Sequence, residues 1–208
     1  PLAALGGKET GGMNVYIREL SRVLSERGCE IDIFTRSQNP GVPAVVPFCE
    51  GVRIVHLKAG PESPYEKKLV WFHLPEFLEN LEQFRRREGI RYRLIHSHYW
   101  LSGWVGAQLG RRWKVPLLHM FHTLGYFKNR AAKVVGEKEP GVRLQVERQL
   151  LADADHITAS SQREKVDMIW ACGARPNRIT VVPCGVDIRM FRPLDPVAAK
   201  KRLGLTDK

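Results

Sequence analysis

The feature that most constrains this chain is a regular alternation of short apolar, β-branched runs with longer helical stretches. From Met13 to Arg27 the residues Ile17, Leu20 and Leu24 share one helical face, and Gly28 supplies the stop. Cys29 to Thr35 predicts a strand, Pro40 and Pro43 a loop, and Val52 to Leu57 a second strand before the break at Ala59–Pro64. A helix follows over Leu74 to Arg87, entered through Pro75. Beyond it come a strand over Tyr92 to His98, a helix over Trp100 to Trp113 and a strand over Pro116 to His122. A polar segment reaches Pro140 and a helix continues to Ala152. The series closes with a strand at His156 to Ser160, a helix at Gln162 to Ala171 and a strand at Ile179 to Val182. Pro193 and Pro196 then punctuate a linker, with a short helix predicted over Ala198 to Leu203. Such alternation predicts an α/β fold, a Rossmann-like doubly wound parallel sheet with right-handed connections and helices on both faces.

The length of 208 residues and the 43% apolar content suffice to bury a full core. No apolar run approaches the roughly 18 residues that cross a bilayer, and no basic-then-apolar signal pattern is present. Cys29, Cys49, Cys172 and Cys184 lack C-x-x-C spacing, so they read as buried or incidental thiols in a reducing compartment. That reading gives a cytoplasmic expectation and no metal site. A net charge of +11 admits nucleic acid, an anionic membrane surface or phosphorylated small molecules as partners. The densest basic run, Arg85–Arg87, lies at a helix end, where the macrodipole favours cations. No RNP motif, zinc-finger spacing or helix-turn-helix accompanies it, so nucleic acid is set aside. Peripheral contact with a membrane stays open.

In a doubly wound sheet the ligand sits at the carboxyl ends of the strands. The loop Gly6-Gly7-Lys8-Glu9-Thr10-Gly11-Gly12 lets backbone approach a ligand, and the helix behind it offers free N–H groups to an anion. Its spacing is neither G-x-G-x-x-G nor a Walker loop, so a flexible terminus is an equal alternative. At the end of one strand stands His96-Ser97-His98-Tyr99-Trp100. Alternation places His96 and His98 on one face and Ser97 and Tyr99 on the other. No third metal ligand is apparent, and core packing competes with a cleft-lining role for His98 and Tyr99. The next strand ends at His119-Met120-Phe121-His122-Thr123. Lys67, Lys128 and Arg143 are singly solvated charges, yet together with a helix N-terminus they can hold a phosphate ester. Val181 to Asp187 turns a buried strand into the linker, and neither a Ser-His-Asp triad nor a hydrolytic carboxylate pair is present.

The segments GGKETGGMNVYIREL, LIHSHYWLSG, FHTLGYFKN, ERQLLADADHITASS and ITVVPCGVDIRMFRP stand in order from Gly6 to Pro193. Together they resemble glycosyltransferase family four, the retaining GT-B group that includes sucrose-phosphate synthase and the D-inositol-3-phosphate enzymes. The resemblance implies the N-terminal half of a GT-B fold, with residues 1–186 as an acceptor-binding domain. Residues 187–208 would be the linker and the start of a nucleotide-sugar-binding domain. It also implies a strand ahead of the glycine loop, a basic pair and an E-x(7)-E motif after Lys208, and a mobile Pro1–Glu9. By position, Gly11 and Gly12 would meet the donor diphosphate and Asn14 the acceptor. Lys67, Tyr99, Thr123 and Arg143 would hold the acceptor's phosphate, and His122 would touch the donor sugar near the reacting carbon. The implied reaction passes a hexosyl group from a nucleotide diphosphate sugar, UDP-sugar foremost, to a sugar or cyclitol phosphate with retention. It needs no resident cofactor and no metal, and the isolated half is expected to be inactive. Three alternatives stay open: a non-transferase GT-B enzyme such as a nucleotide-sugar 2-epimerase, a transferase for a lipid or other non-phosphorylated acceptor, and a non-catalytic sugar-phosphate-binding domain.

Overall fold

The computed structural model describes residues 11–66 and 69–205, and within them the alternation resolves into two sheets flanked by helices. Lys67 and the glycine loop ahead of Gly11, with the mobility expected of Pro1–Glu9, lie outside the described residues. The first helix, α1 (Gly12–Ser25), half-buries Ile17, Leu20 and Leu24 and fully buries Ser21, and the chain turns out of it at Gly28, whose φ of 83° favours a residue without a side chain. The strands β1 (Ile31–Arg36) and β3 (Val52–Leu57) run parallel, with Ile33 opposite Ile54. Between them in sequence lies β2 (Val45–Cys49), which pairs antiparallel to β3 and gives the order β1-β3-β2.

The purely parallel sheet expected from the sequence therefore carries an antiparallel edge. Pro47 explains both the placement and the missed reading. Without an N–H it is tolerated at a sheet edge beside a bulge, and the register does shift between Pro47 and Cys49.

The second sheet holds β4 (Ile95–His98), β5 (Leu117–Met120), β6 (His156–Ala159) and β7 (Ile179–Val181), all parallel and in that order. Its crossovers are α3 (Tyr99–Trp113), the pair α4 (Gly125–Ala131) and α5 (Gly141–Asp153), and α6 (Gln162–Cys172). The helix α2 (Leu74–Arg87) precedes β4 and buries Leu74, Leu78, Leu81 and Phe84 at helical spacing against β3 and α3. A final helix, α7 (Pro196–Arg202), is capped by Asp195, whose carboxylate accepts from the Ala198 N–H at 2.8 Å.

Among the described residues β1 and β4 do not pair, and side chains hold the two sheets together instead. Tyr92, expected in a strand, precedes β4 as a clamp: its hydroxyl donates to Asp32 Oδ2 at 2.5 Å and its ring stacks on Trp113. Asp32 also takes a bidentate pair of bonds from Arg53 at 2.8 and 2.9 Å. On the other side, α3 lies unusually close to its sheet. A Cβ on Gly103 would stand 2.7 Å from His119 Cε1, and one on Gly106 would stand 2.9 Å from Leu117 Cδ1. Small residues at these two positions bring the N-terminus of α3, and the strand ends beside it, into one cleft wall.

Candidate active site

At the carboxyl end of the second sheet two residues with side chains adopt left-handed backbone. Tyr99, just after β4, has φ of 72°, and His122, just after β5, has φ of 59°. Such a conformation costs about 1–2 kcal/mol for a residue other than glycine. It is retained where surrounding structure fixes it, and such positions cluster at functional sites. Here the two turns aim adjacent side chains over the strand ends.

Around His122 the site is aromatic. His98 Nδ1 and His122 Nε2 share a hydrogen bond of 3.0 Å. Tyr16, from the second turn of α1, sets its ring edge-on to both, with centroids 5.7 Å from His98 and 5.5 Å from His122. Burial keeps these imidazoles neutral. It lowers His98 well below its ordinary value, takes His96 down to about 4, and lowers His122 despite the opposing charge of Glu164. On the other face of β4, Ser97 bonds the fully buried His119 Nδ1 at 2.8 Å, and burial pushes that ring to about 3. His96 and His98 thus share a face as alternation requires. Tyr99 instead opens α3 and escapes the strand alternation through its left-handed turn.

Beside this cluster the structure brings together Tyr99, Thr123 and Arg143. Arg143 lies in the first turn of α5 with no exposed surface, and its guanidinium donates to the Tyr99 hydroxyl at 2.9 Å. It also donates to the Thr123 carbonyl at 2.7 Å and hydroxyl at 3.2 Å, and lies over the Tyr99 ring at 4.7 Å. Its charge is balanced by Glu147 at 2.7 Å and Glu139 at 3.1 Å, one turn to either side. Glu147 is buried, and its second oxygen accepts from the Gly125 N–H at 2.7 Å. Burial lifts the Glu147 carboxyl, whereas Lys128 and Arg143 outweigh burial at Glu139 and hold it below the usual carboxylate range. Lys128, from α4, pairs with the other oxygen of Glu139.

Gly11 is the N-cap of α1, Gly12 its first residue and Asn14 lies in its first turn. Among the described residues no side chain caps this end, where N–H groups of a helix can meet an anion, and the Asn14 N–H donates to the Gly11 carbonyl at 3.0 Å. Among the described residues, a Cβ at Gly11 or Gly12 would meet nothing within 4 Å. Tyr16, Glu139, Glu147 and Glu164 are the residues at this site that sequence reasoning missed. The spacing Glu139–Arg143–Glu147 is a readable i,i+4 series, and Ser161–Glu164 a readable N-cap pair, confirmed by the Glu164 N–H donating to Ser161 Oγ at 3.1 Å.

The sequence profile described as Glycosyltransferase Family 4 matches residues 10–189, a span containing every one of these groups. The chain belongs to glycosyltransferase family 4. It is 41% identical over 208 residues to a D-inositol 3-phosphate glycosyltransferase of Geodermatophilus obscurus, covering 100% of this chain and 46% of that protein. A second D-inositol 3-phosphate glycosyltransferase, from Catenulispora acidiphila, is 42% identical over 206 residues, covering 99% and 48%. This family 4 chain thus spans about half the length of the curated relatives it matches. In structure it superposes on the N-terminal half of the sucrose-phosphate synthase of Thermosynechococcus elongatus with a TM-score of 0.87 and 32% identity, over 98% of this chain and 49% of that one. Anabaena HepE, solved in complex with UDP-glucose, matches with a TM-score of 0.60 at 16% identity over 97% and 49%, a likeness of fold alone. The architecture is the N-terminal half of a GT-B glycosyltransferase.

Proposed function

We propose that this chain is the acceptor-side half of a retaining transferase that passes a hexosyl group from a nucleotide diphosphate sugar to a sugar or cyclitol phosphate. The observation that carries the reading is the convergence of Tyr99, Thr123 and Arg143 from three separate element ends onto one spot. Two hydroxyls and a guanidinium match a phosphate ester, whereas a neutral sugar would leave that cation without a counterpart in the ligand. Family members named for D-inositol 3-phosphate and for sucrose phosphate support the same acceptor chemistry. Residues 1–186 form the acceptor-binding domain in this reading, and 187–208 lead towards a nucleotide-sugar domain. Lys67 joins the phosphate set, Asn14 meets the acceptor, and Gly11 and Gly12 meet the donor diphosphate through the α1 N-terminus.

Retention follows if the acceptor hydroxyl attacks the anomeric carbon from the face the diphosphate leaves. The bond from that carbon to the diphosphate oxygen breaks, the bond to the acceptor oxygen forms, and the hydroxyl proton passes to the departing phosphate. The protein's share is orientation and charge stabilisation. His122, neutral and fixed by His98, would meet the donor sugar without adding positive charge. Comparing kcat/KM for fructose 6-phosphate or inositol 3-phosphate with the dephosphorylated acceptors, in the two-domain enzyme, tests the reading. A preference of at least about 100-fold is expected. Thr123→Val should raise KM for the phosphorylated acceptor about tenfold, the loss of one hydrogen bond to a charged group, with little change in kcat. Equal turnover of phosphorylated and free acceptors would sink the proposal.

A further inference from the structure

Arg143 donates four side-chain hydrogen bonds, to Glu147, to the Tyr99 hydroxyl and to the carbonyl and hydroxyl of Thr123, and forms an ion pair with Glu139 at 3.1 Å. The two carboxylates among them differ in kind. Glu147 has 4% of its side chain exposed and both oxygens committed, one to Arg143 and one to the Gly125 backbone. Glu139 sits just ahead of Pro140, in the segment joining α4 to α5, and has 13% exposed. Its oxygens bridge Arg143 and Lys128, and the Lys128 side chain is 49% exposed. A pair of anionic oxygens linking two cations is what one face of a phosphate would supply.

We infer that Glu139 is a resident anion which occupies the phosphate position between Arg143 and Lys128 and must be displaced by the acceptor's phosphate. This inference rests on the phosphorylated-acceptor reading and deepens it. Displacement makes the site selective. A neutral hydroxyl or a weakly charged group does not repay the separation of Glu139 from two cations. A phosphate dianion does, because it brings two charges where the carboxylate brought one. Glu147 stays behind as the fixed counter-ion, so Arg143 is never left buried without a partner. Lys128 becomes a phosphate ligand only after Glu139 withdraws, which couples acceptor entry to a movement of the α4–α5 segment.

The test is calorimetric titration of this chain and its Glu139→Gln variant with fructose 6-phosphate, fructose and inorganic phosphate. Thermal melting establishes that each variant is folded, and Glu139→Asp serves as a second variant that keeps the charge but draws it back by one methylene. Glu139→Gln should tighten fructose 6-phosphate and inorganic phosphate about tenfold and leave fructose unchanged, with Glu139→Asp in between. If the wild-type chain prefers the phosphate ester and Glu139→Gln binds it equally or more weakly, Glu139 supports the site and the displacement idea is wrong on its own. If the wild-type chain binds fructose and fructose 6-phosphate alike, the phosphorylated-acceptor reading fails and takes this inference with it.

Discussion

At the scale of single residues the site is governed by burial of groups that would otherwise be charged. His96, His98, His119 and His122 all lie at or beside the ends of β4 and β5, and burial lowers each below the ordinary value near 6.5. The neutral forms suit a site in which Arg143 is the organised cation, because an imidazolium beside it would compete for the same anion. The same burial makes stability depend on pH. In the unfolded chain these rings take up protons as pH falls through about 6.5, while in the folded chain His96 holds out to about 4 and His119 to about 3. The unfolded state then binds more protons, so their contribution is complete above about pH 6.5 and is lost as pH falls towards the folded values. Each ring that stays neutral at pH 5 should cost about 2 kcal/mol relative to pH 7. Urea midpoints at pH 7, 6 and 5 should therefore drop steeply, and His96→Asn should flatten the slope by about one proton. A midpoint that stays level over this range would show that the rings are protonated in the folded chain.

Among the elements, α3 decides how closely the strand ends and the helix termini approach. Gly103 is the critical contact. A methyl there would stand 2.4 Å from Leu150 Cδ1 and 2.7 Å from His119 Cε1. Leu150 is buried and His119 is pinned by Ser97, so neither can move aside freely. Gly103→Ala should destabilise the chain by about 1–2 kcal/mol, the overpacking penalty exceeding the helix-propensity gain. Gly12→Ala, at the open start of α1, should be neutral or slightly stabilising. Thermal melts of the two variants side by side check this, and shifts in the same direction would contradict the packing account. These glycines also mark what the sequence made legible. The end of β4 at His98 was readable from the sequence, whereas β5 ends at Met120, two residues before the His122 limit read from the sequence, and a parallel sheet still collects both ends on one edge. The strand β2 was hidden because Pro43 precedes it and Pro47 lies within it, which only an edge strand tolerates. The helix α4 was hidden because seven residues starting at Gly125 carry too little periodicity. Glu139 had the right spacing from Arg143, but its bond to Lys128 joins α4 to the loop before α5, and no local pattern records that.

At the scale of the whole molecule, a chain whose described strands form two unpaired sheets must be unified by side chains, and the Asp32–Arg53–Tyr92 cluster does this. Asp32 on β1 has 8% of its side chain exposed, and Arg53 on β3 grips it with two bonds. Tyr92, on the approach to β4, completes the set from the other sheet, its hydroxyl held protonated by burial and by the Asp32 bond. Its ring continues the link by stacking on Trp113, 5.4 Å away at the end of α3, and meeting Phe34 of β1 edge-on. Removing only the hydroxyl leaves Asp32 with its bidentate partner, so Tyr92→Phe should cost about 1–2 kcal/mol and preserve a single unfolding transition. Asp32→Ala removes the shared acceptor and leaves Arg53 with Glu88 at 3.6 Å and the Phe84 ring, so the loss should exceed that of Tyr92→Phe. Far-UV circular dichroism reports both sheets, while tryptophan fluorescence is weighted towards Trp71, Trp100, Trp104 and Trp113 around α3. Urea curves from the two probes should coincide for the wild-type chain and for Tyr92→Phe, and separate for Asp32→Ala as the first sheet loosens before the second. Coincident curves for Asp32→Ala would mean that the apolar packing of α2 between the sheets suffices to couple them, and the polar cluster would then be incidental to the unity of the fold.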